Sequence, residues 1–402
     1  MRITARRGPG GYEFEAYDAD QLFVKATGLL NAQKCREAVE LYDRLEREFA
    51  TSRFASAALY NAGLCLQALA DFAAAADRFT ALRERFPASE DIQDASFQLA
   101  EVLVQLERWQ QALEVSDELL AREELPSDER LEAMARRGQA LIGLGRMDEA
   151  EAYARGALAY FRTRQGDAVI HDEFFAAACN YVLAESFRMR AQALAFPVDP
   201  EGQKDVLLRR AQLLLEAQRE YFNTIQFQNL DNLHWAAASG YRIGNMYDEM
   251  WHSIMNAPVP ASLPKQVQSV YREELAKFVK PLIRHAIRYW EMTLMMIERT
   301  GVKTDWAAKA NLDLDRVRAL MADQPPGPSG LDYVKQKQEA AASSGASGRS
   351  PTPPAGSAPA SNRARGPIAE PGAATDPVPA TPPAADTLPK PAPIPSKTES
   401  SN

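Results

Sequence analysis

The sequence predicts an all-α fold, an α-α superhelix of antiparallel helix pairs followed by a disordered Pro/Ala-rich tail. Three observations predict it. A small residue returns at a fixed interval, as Ala38, Ala75, Ala112 and Ala150, with spacings of 37, 37 and 38 residues. Before residue 322 the 402-residue chain is dense in Ala, Leu, Arg, Glu and Gln, which are strong helix formers. After Ala322 the composition changes: 17 of the 26 prolines lie there, and no aromatic follows Tyr333.

The opening stretch, MRITARRGPGGYEFEAYDADQ, is read as a flexible N-terminus over residues 1–18. It carries the arginines of a signal peptide without the apolar segment that should follow them. The first apolar run, LFVKATGLL, is interrupted by Lys25 and belongs to an amphipathic helix. No window approaches the roughly 20 apolar residues of a membrane span. The chain as given is therefore expected to be soluble, with no signal peptide or transmembrane segment, and its compartment stays open.

Residues 19–160 read as four repeats. Twelve residues before each index alanine stands a small residue: Ala26, Gly63, Ala100 and Gly138. Nine before it stands Leu29, Leu66, Leu103 or Leu141. Four after come Tyr42, Phe79, Ser116 and Ala154, and seven after come Leu45, Leu82, Leu119 and Ala157. Proline follows as Pro87 in the second repeat and Pro126 in the third. Two antiparallel helices interlock only where bulk is removed at their crossing, which assigns the packing to Ala26, Ala38, Gly63, Ala75, Ala100, Ala112, Gly138 and Ala150. Large residues one turn later fill the next layer, and proline stops the second helix. One pair cannot bury its apolar face alone, so pairs stack.

This small–small–aromatic–proline phrase resembles the tetratricopeptide repeat, whose standard unit is about 34 residues. The three extra residues fall in the connector after the proline, as in RFPASEDIQDA. The longer period resembles repeats of bacterial cell-envelope proteins, such as outer-membrane assembly lipoproteins and Tol-Pal accessory proteins. That resemblance implies a scaffold for protein partners and points toward the cell envelope or periplasm.

From 161 to 321 the units lengthen into atypical helix pairs and capping helices. AVIHDEFFAAACNYVLAESFRMRAQALAF ends near Pro197 and Pro200, and KDVLLRRAQLLLEAQREYFNTIQFQ follows with helical apolar spacing. LHWAAASGYRIGNMYDEMWHSIMNA is a degenerate repeat phrase broken by PVPASLP. Lys265 to Arg299 is a long helix that Pro281 should kink or divide. The last helix is TDWAAKANLDLDRVRALM, with Thr304 as its cap. The phrases YRIGNMYDEMWHSIMNAPVP and AIRYWEMTLMMIERTGVKTDW resemble the C-terminal part of repeat proteins from gliding bacteria such as myxobacteria, which implies an envelope or motility setting.

The tail, 322–402, lacks the apolar residues to offset its ordering entropy and is expected to be disordered. Segments such as PATPPAADTLPKPAPIPS favour polyproline II, as a spacer or a docking ligand. Its seven basic and seven acidic residues cancel, so the whole net charge of -8 sits on the folded part. An acidic fold repels phosphate backbones, which disfavours nucleic acid.

Little in the sequence points to catalysis. Cys35, Cys65 and Cys179 are odd in number, widely spaced and each inside a helical phrase, so they read as small buried hydrophobes. The four histidines form no two-histidine zinc motif. Asp248, Glu249 and His252 share a helix face at metal-ligand spacing, although the same pattern describes a solvated cluster. There is no phosphate-cradling glycine loop and no nucleophile elbow. The expectation is no enzyme activity, no metal and no cofactor.

In a stacked superhelix the first helix of each pair lines the concave face. That places Phe23, Thr27, Tyr60, Leu64, Phe97, Glu101, Ala135 and Gln139 there. The ladder Phe23, Tyr60, Phe97 offers one aromatic per repeat to an extended peptide or a partner helix. The alternative is that these rings pack between repeats. A second cluster, Trp235, Tyr241, Tyr247 and Trp251 with Met246, Met250 and Met255, reads either as an adaptable surface or as core filling. The function expected is a non-enzymatic interaction scaffold in a bacterial multiprotein complex, binding a peptide or helix. The alternative is an accessory protein with a small-ligand pocket between the divergent C-terminal helices.

Overall fold

Connectors of a few residues between helical phrases force each helix to turn back on its predecessor. The computed structural model describes residues 2–8, 11–164, 170, 172–227, 233–259 and 263–322. The tail from 323 onward, where disorder is expected, lies outside the described residues.

Strands β1 (Arg2–Gly8) and β2 (Gly11–Tyr17) pair antiparallel, from Arg2 opposite Tyr17 to Gly8 opposite Gly11. This differs from the flexible start expected for residues 1–18. RITARR and YEFEAY alternate with a period of two on either side of glycines, which is a hairpin pattern. Tyr17 is buried, packs edge-on against Phe49 and carries the Arg44 guanidinium over its ring at 3.8 Å.

Four helix pairs follow. They are α1 (Ala19–Asn31) with α2 (Cys35–Glu48), α3 (Ala55–Ala68) with α4 (Phe72–Arg85), α5 (Ile92–Gln105) with α6 (Trp109–Leu120), and α7 (Ser127–Gly143) with α8 (Met147–Thr163). Each pair closes through the same turn. Gln33, Ala70, Glu107 and Gly145 all adopt positive φ, between 56° and 71°. The next N–H then reaches back to the index leucine: Lys34 to Leu29, Asp71 to Leu66, Arg108 to Leu103 and Arg146 to Leu141, each at 2.9 Å. This left-handed cap satisfies carbonyls that a helix end leaves open. Only Gly145 announces it in sequence.

Every residue assigned to repeat packing is buried, including Gly63 and Gly138. A Cβ on Gly63 would lie 2.5 Å from the Phe79 ring, so the aromatic of the second helix occupies the space the glycine vacates. Where the aromatic is replaced by Ser116, its hydroxyl donates to the Ala112 carbonyl at 2.7 Å and stays buried. All three cysteines are free thiols and buried.

The stack continues through longer pairs: α9 (Phe174–Ala193) with α10 (Pro200–Ile225), and α11 (Leu233–Met255) with α12 (Lys265–Thr300), ended by α13 (Trp306–Met321). Each helix packs on the next, and first helices also touch between neighbouring pairs, as α1 with α3, α5 with α7, α7 with α9 and α9 with α11. α12 runs unbroken through Pro281, contrary to the expected division. Pro281 is exposed, so the carbonyl it cannot bond faces water. The Thr304 hydroxyl accepts the Trp306 N–H at 3.4 Å from two residues before the helix, whose cap position falls to Asp305 and not to the expected Thr304.

A buried charge cluster sets how α9, α10 and α11 meet. Arg188 donates to Glu185 at 2.8 Å and to Glu249 at 3.0 Å, while Arg242 reaches Glu185 at 3.2 Å and Tyr221 donates its hydroxyl to the same carboxylate. Burial alone would raise the Glu185 pKa, but the two guanidinium groups and these hydrogen bonds hold it at about 2. The arrangement stabilises less than its charges suggest, because desolvation offsets most of the attraction, yet only one docking of the three helices satisfies it.

Candidate partner-binding surface

The residues expected on the concave face are mostly inside the protein. Phe23 is fully buried and stacks on Phe54, with ring centroids 4.8 Å apart and planes 19° from parallel. Tyr60, also fully buried, packs 5.9 Å from Phe79, and Phe97 is 1% exposed. Thr27 shares a 3.0 Å hydrogen bond with the Tyr42 hydroxyl in the core. Glu101 is buried against Arg136 at 3.3 Å, and Ala135 is buried. Leu64 and Gln139 alone remain half-buried. The expected ladder of free aromatic anchors is therefore corrected: its rings are inter-helix packing.

The reason lies in how tightly the first helices are enclosed. Residues 95–103 of α5 and 174–188 of α9 are buried without interruption. A helix with an open face exposes a residue about every turn. These two stretches have no such face, so they cannot line a groove open to solvent.

The Trp/Tyr/Met cluster is core as well. Trp235, Tyr241, Met246 and Met250 are buried, and Trp290 donates its indole N–H to the Tyr241 carbonyl at 3.1 Å. The triplet of metal-ligand spacing separates: Asp248 binds Arg316 at 2.5 Å and His252 at 3.3 Å, while Glu249 turns to Arg188. Among the described residues no group of three or more His, Cys, Asp or Glu is placed to hold a metal ion. The cleft between the C-terminal helices, bordered by Arg188, Arg210 and Glu249, has a volume of about 10 Å³. That is on the order of one water, too small for the ligand of the alternative reading.

The exposed apolar surface lies elsewhere. Among the described residues, ten of the fourteen exposed large hydrophobic side chains belong to α10 and α12. On α10 they are Leu207, Leu208, Leu215, Phe222 and Ile225, and on α12 they are Val267, Val270, Phe278, Met292 and Met295. Leu208, Leu215 and Phe222 recur every seven residues, forming one stripe along α10. Phe278 is 83% exposed and shares a shallow recess of about 520 Å³ with Tyr271, Leu275, Glu274 and Lys277.

The two helices run parallel, each antiparallel to α11. Gln203 at the start of α10 bonds the Pro258 carbonyl beyond the end of α11, and Gln218 further along α10 meets Tyr247 within α11. α10 and α12 join at one end, where Phe222 packs 6.3 Å from Tyr289 and Gln218 donates to its hydroxyl at 3.2 Å. Carried back along parallel helices, that register sets Leu208 level with Leu275. From this register we infer an apolar furrow between α10 and α12 beyond their contact at Tyr289. Sequence reasoning noted only helical apolar spacing in α10 and did not see that its seven-residue stripe is exposed.

Helix pairs stacked through small residues and a recurring left-handed turn define a helical-repeat solenoid. Residues 57–89, spanning α3 and α4, match the tetratricopeptide repeat family. No curated protein matches the sequence. Solved structures similar to it include MamA (41-end) from Desulfovibrio magneticus RS-1, at 16% identity over 50% of this chain and 95% of that one, with a TM-score of 0.34. A tetratricopeptide repeat protein from Parabacteroides merdae shares 14% identity over 69% of this chain and 93% of its own, with a TM-score of 0.37. A Rap protein complexed with competence and sporulation factor shares 12% identity over 76% and 99%, with a TM-score of 0.30. The matched repeat supports a protein-interaction scaffold.

Proposed function

We propose that this scaffold is non-enzymatic and holds an amphipathic helix of a protein partner in the furrow between α10 and α12. The observation that carries the reading is the concentration of exposed apolar side chains on those two helices while the aromatic ladder of the early repeats is buried. A monomeric surface rarely keeps a contiguous apolar strip of this kind unless something covers it. Helix-in-groove recognition supplies i, i+3, i+4 and i+7 anchors, which fit two flanking apolar stripes. The early repeats then act as the rigid arm that positions the furrow. The long repeat period and the C-terminal phrases support a setting in a bacterial envelope or motility complex.

The test is site-specific photocrosslinking in the source cell. A crosslinker at Leu215 or Phe278 captures one defined protein, and a crosslinker at Arg36 on α2 does not. Equal capture from all three positions, or capture from Arg36 alone, removes the furrow as the binding site.

A further inference from the structure

Resting on that reading, we infer that the partner helix is acidic on the flanks of its apolar stripe, because α12, one wall of the furrow, carries a basic ridge on its exposed face. On α12, Lys277, Lys280, Arg284 and Arg288 stand at i, i+3, i+7 and i+11, which places them on one helix face, and all four are exposed. Lys277 binds Glu274 at 2.7 Å. Lys280, Arg284 and Arg288 make no ion pair among the described residues. Some exposed arginines elsewhere in the protein find a carboxylate, as Arg53 finds Asp20, Arg146 finds Glu149 and Arg318 finds Glu291.

The chain as a whole carries a net charge of -8, so a row of free cations is a local reversal of its field. At one end of the ridge Lys277 lines the recess of Phe278 and Tyr271 on α12 itself. Apolar anchors beside a row of like charges select a partner by complementary charge, which sets orientation and association rate more than affinity. A basic, apolar helix face also suits an anionic membrane surface. The seven-residue spacing of Leu208, Leu215 and Phe222 favours a helix instead, since that interval keeps one seam against another helix.

The test uses the full chain and three probes. The first is a fluorescent three-heptad peptide with leucine at the a and d positions and glutamate on the flanks. The second is its lysine-flanked counterpart, and the third is phosphatidylglycerol vesicles. The glutamate peptide is expected to bind, to weaken with added salt, and to lose about tenfold in affinity in the K280E/R284E/R288E variant. F278D combined with L215D is expected to abolish binding; all five positions are exposed, and an unchanged melting curve verifies that each variant folds.

Equal or tighter binding of the lysine peptide overturns the charge preference and leaves the furrow as a helix site. Absence of binding by either peptide overturns both readings, as does binding of the vesicles alone. Glutamate-peptide binding that survives F278D/L215D places the interaction outside the furrow and also overturns both.

Discussion

Phe79 lies over Gly63: a Cβ built on the glycine would stand 2.5 Å from the ring's Cε1 and Cζ atoms. Phe79 is fully buried and cannot swing aside into solvent. Gly63→Leu is therefore expected to destabilise the protein by at least about 1–3 kcal/mol through overpacking. Gly63→Ala is expected to destabilise as well, although alanine is the better helix former. Gly156, in α8, is the control, since a Cβ there meets nothing within 4 Å. Gly156→Ala should stabilise by about 0.5–1 kcal/mol. Urea unfolding of the three variants checks the signs.

The repeated turn makes a prediction of the opposite kind. Glu107 holds φ at 56°, a region that costs a residue with a Cβ about 1–2 kcal/mol. Glycine there removes that strain while adding some unfolded-state freedom. Glu107→Gly and Gln33→Gly should each stabilise by about 0.5–1 kcal/mol. A fall in the urea midpoint for both would mean that those side chains contribute more than the turn strains.

Tyr60→Ala and Phe97→Ala should each cost about 3–5 kcal/mol, the range for deleting a buried ring. Their loss would appear first as a lower melting temperature. Any loss of partner capture should vanish on cooling to where the variant is folded.

Arg188→Met leaves the buried Glu185 and the half-buried Glu249 with fewer counter-charges, and is expected to cost about 3–5 kcal/mol. Combining it with Glu185→Leu should cost less than the sum of the two single changes. Additive losses would show that Arg188 and Glu185 do not act as a unit.

His234 gives the stability a pH slope. Burial, then the nearby Lys309 and Arg136, push its pKa down to about 4, from 6.5 in the unfolded chain. The unfolded chain binds more protons across that interval, so stability is full above pH 6.5 and falls as pH drops toward 4. Glu185 adds a second loss between about 4.5 and 2, as its carboxylate protonates. His252 works in the other direction: its hydrogen bond to Asp248 raises its pKa, so its contribution is present at low pH and lost as pH rises through the folded value. The measurement is the difference in melting temperature between wild type and His234→Phe. That difference should grow steadily from pH 6.5 to 4, and a flat difference would contradict the assignment.

The periodic helix pairs were legible because their cause is local. Ala38, Ala75, Ala112 and Ala150 recur at the interval at which the backbones cross, and the residues around them fill the same buried roles in every unit. Gln33, Ala70 and Glu107 were not legible as left-handed caps, since nothing in those side chains announces the conformation that the returning helix imposes. The opening hairpin escaped for a related reason: alternation over six residues is a weak pattern beside the flexibility that glycine and a chain end imply.

The sequence by itself determined that this protein is a stack of helix pairs, because period, bulk and proline position act within one repeat. Only the tertiary structure decided which apolar side chains face water. Phe23, Tyr60 and Phe97 share a helix face that geometry alone leaves free, and the neighbouring pairs close over it. Leu215 and Phe278 look equally internal in sequence, but α10 and α12, which meet near Tyr289, leave both exposed. Burial is a property of how successive pairs dock, and that docking depends on contacts such as Arg188 with Glu249, 61 residues apart in the chain.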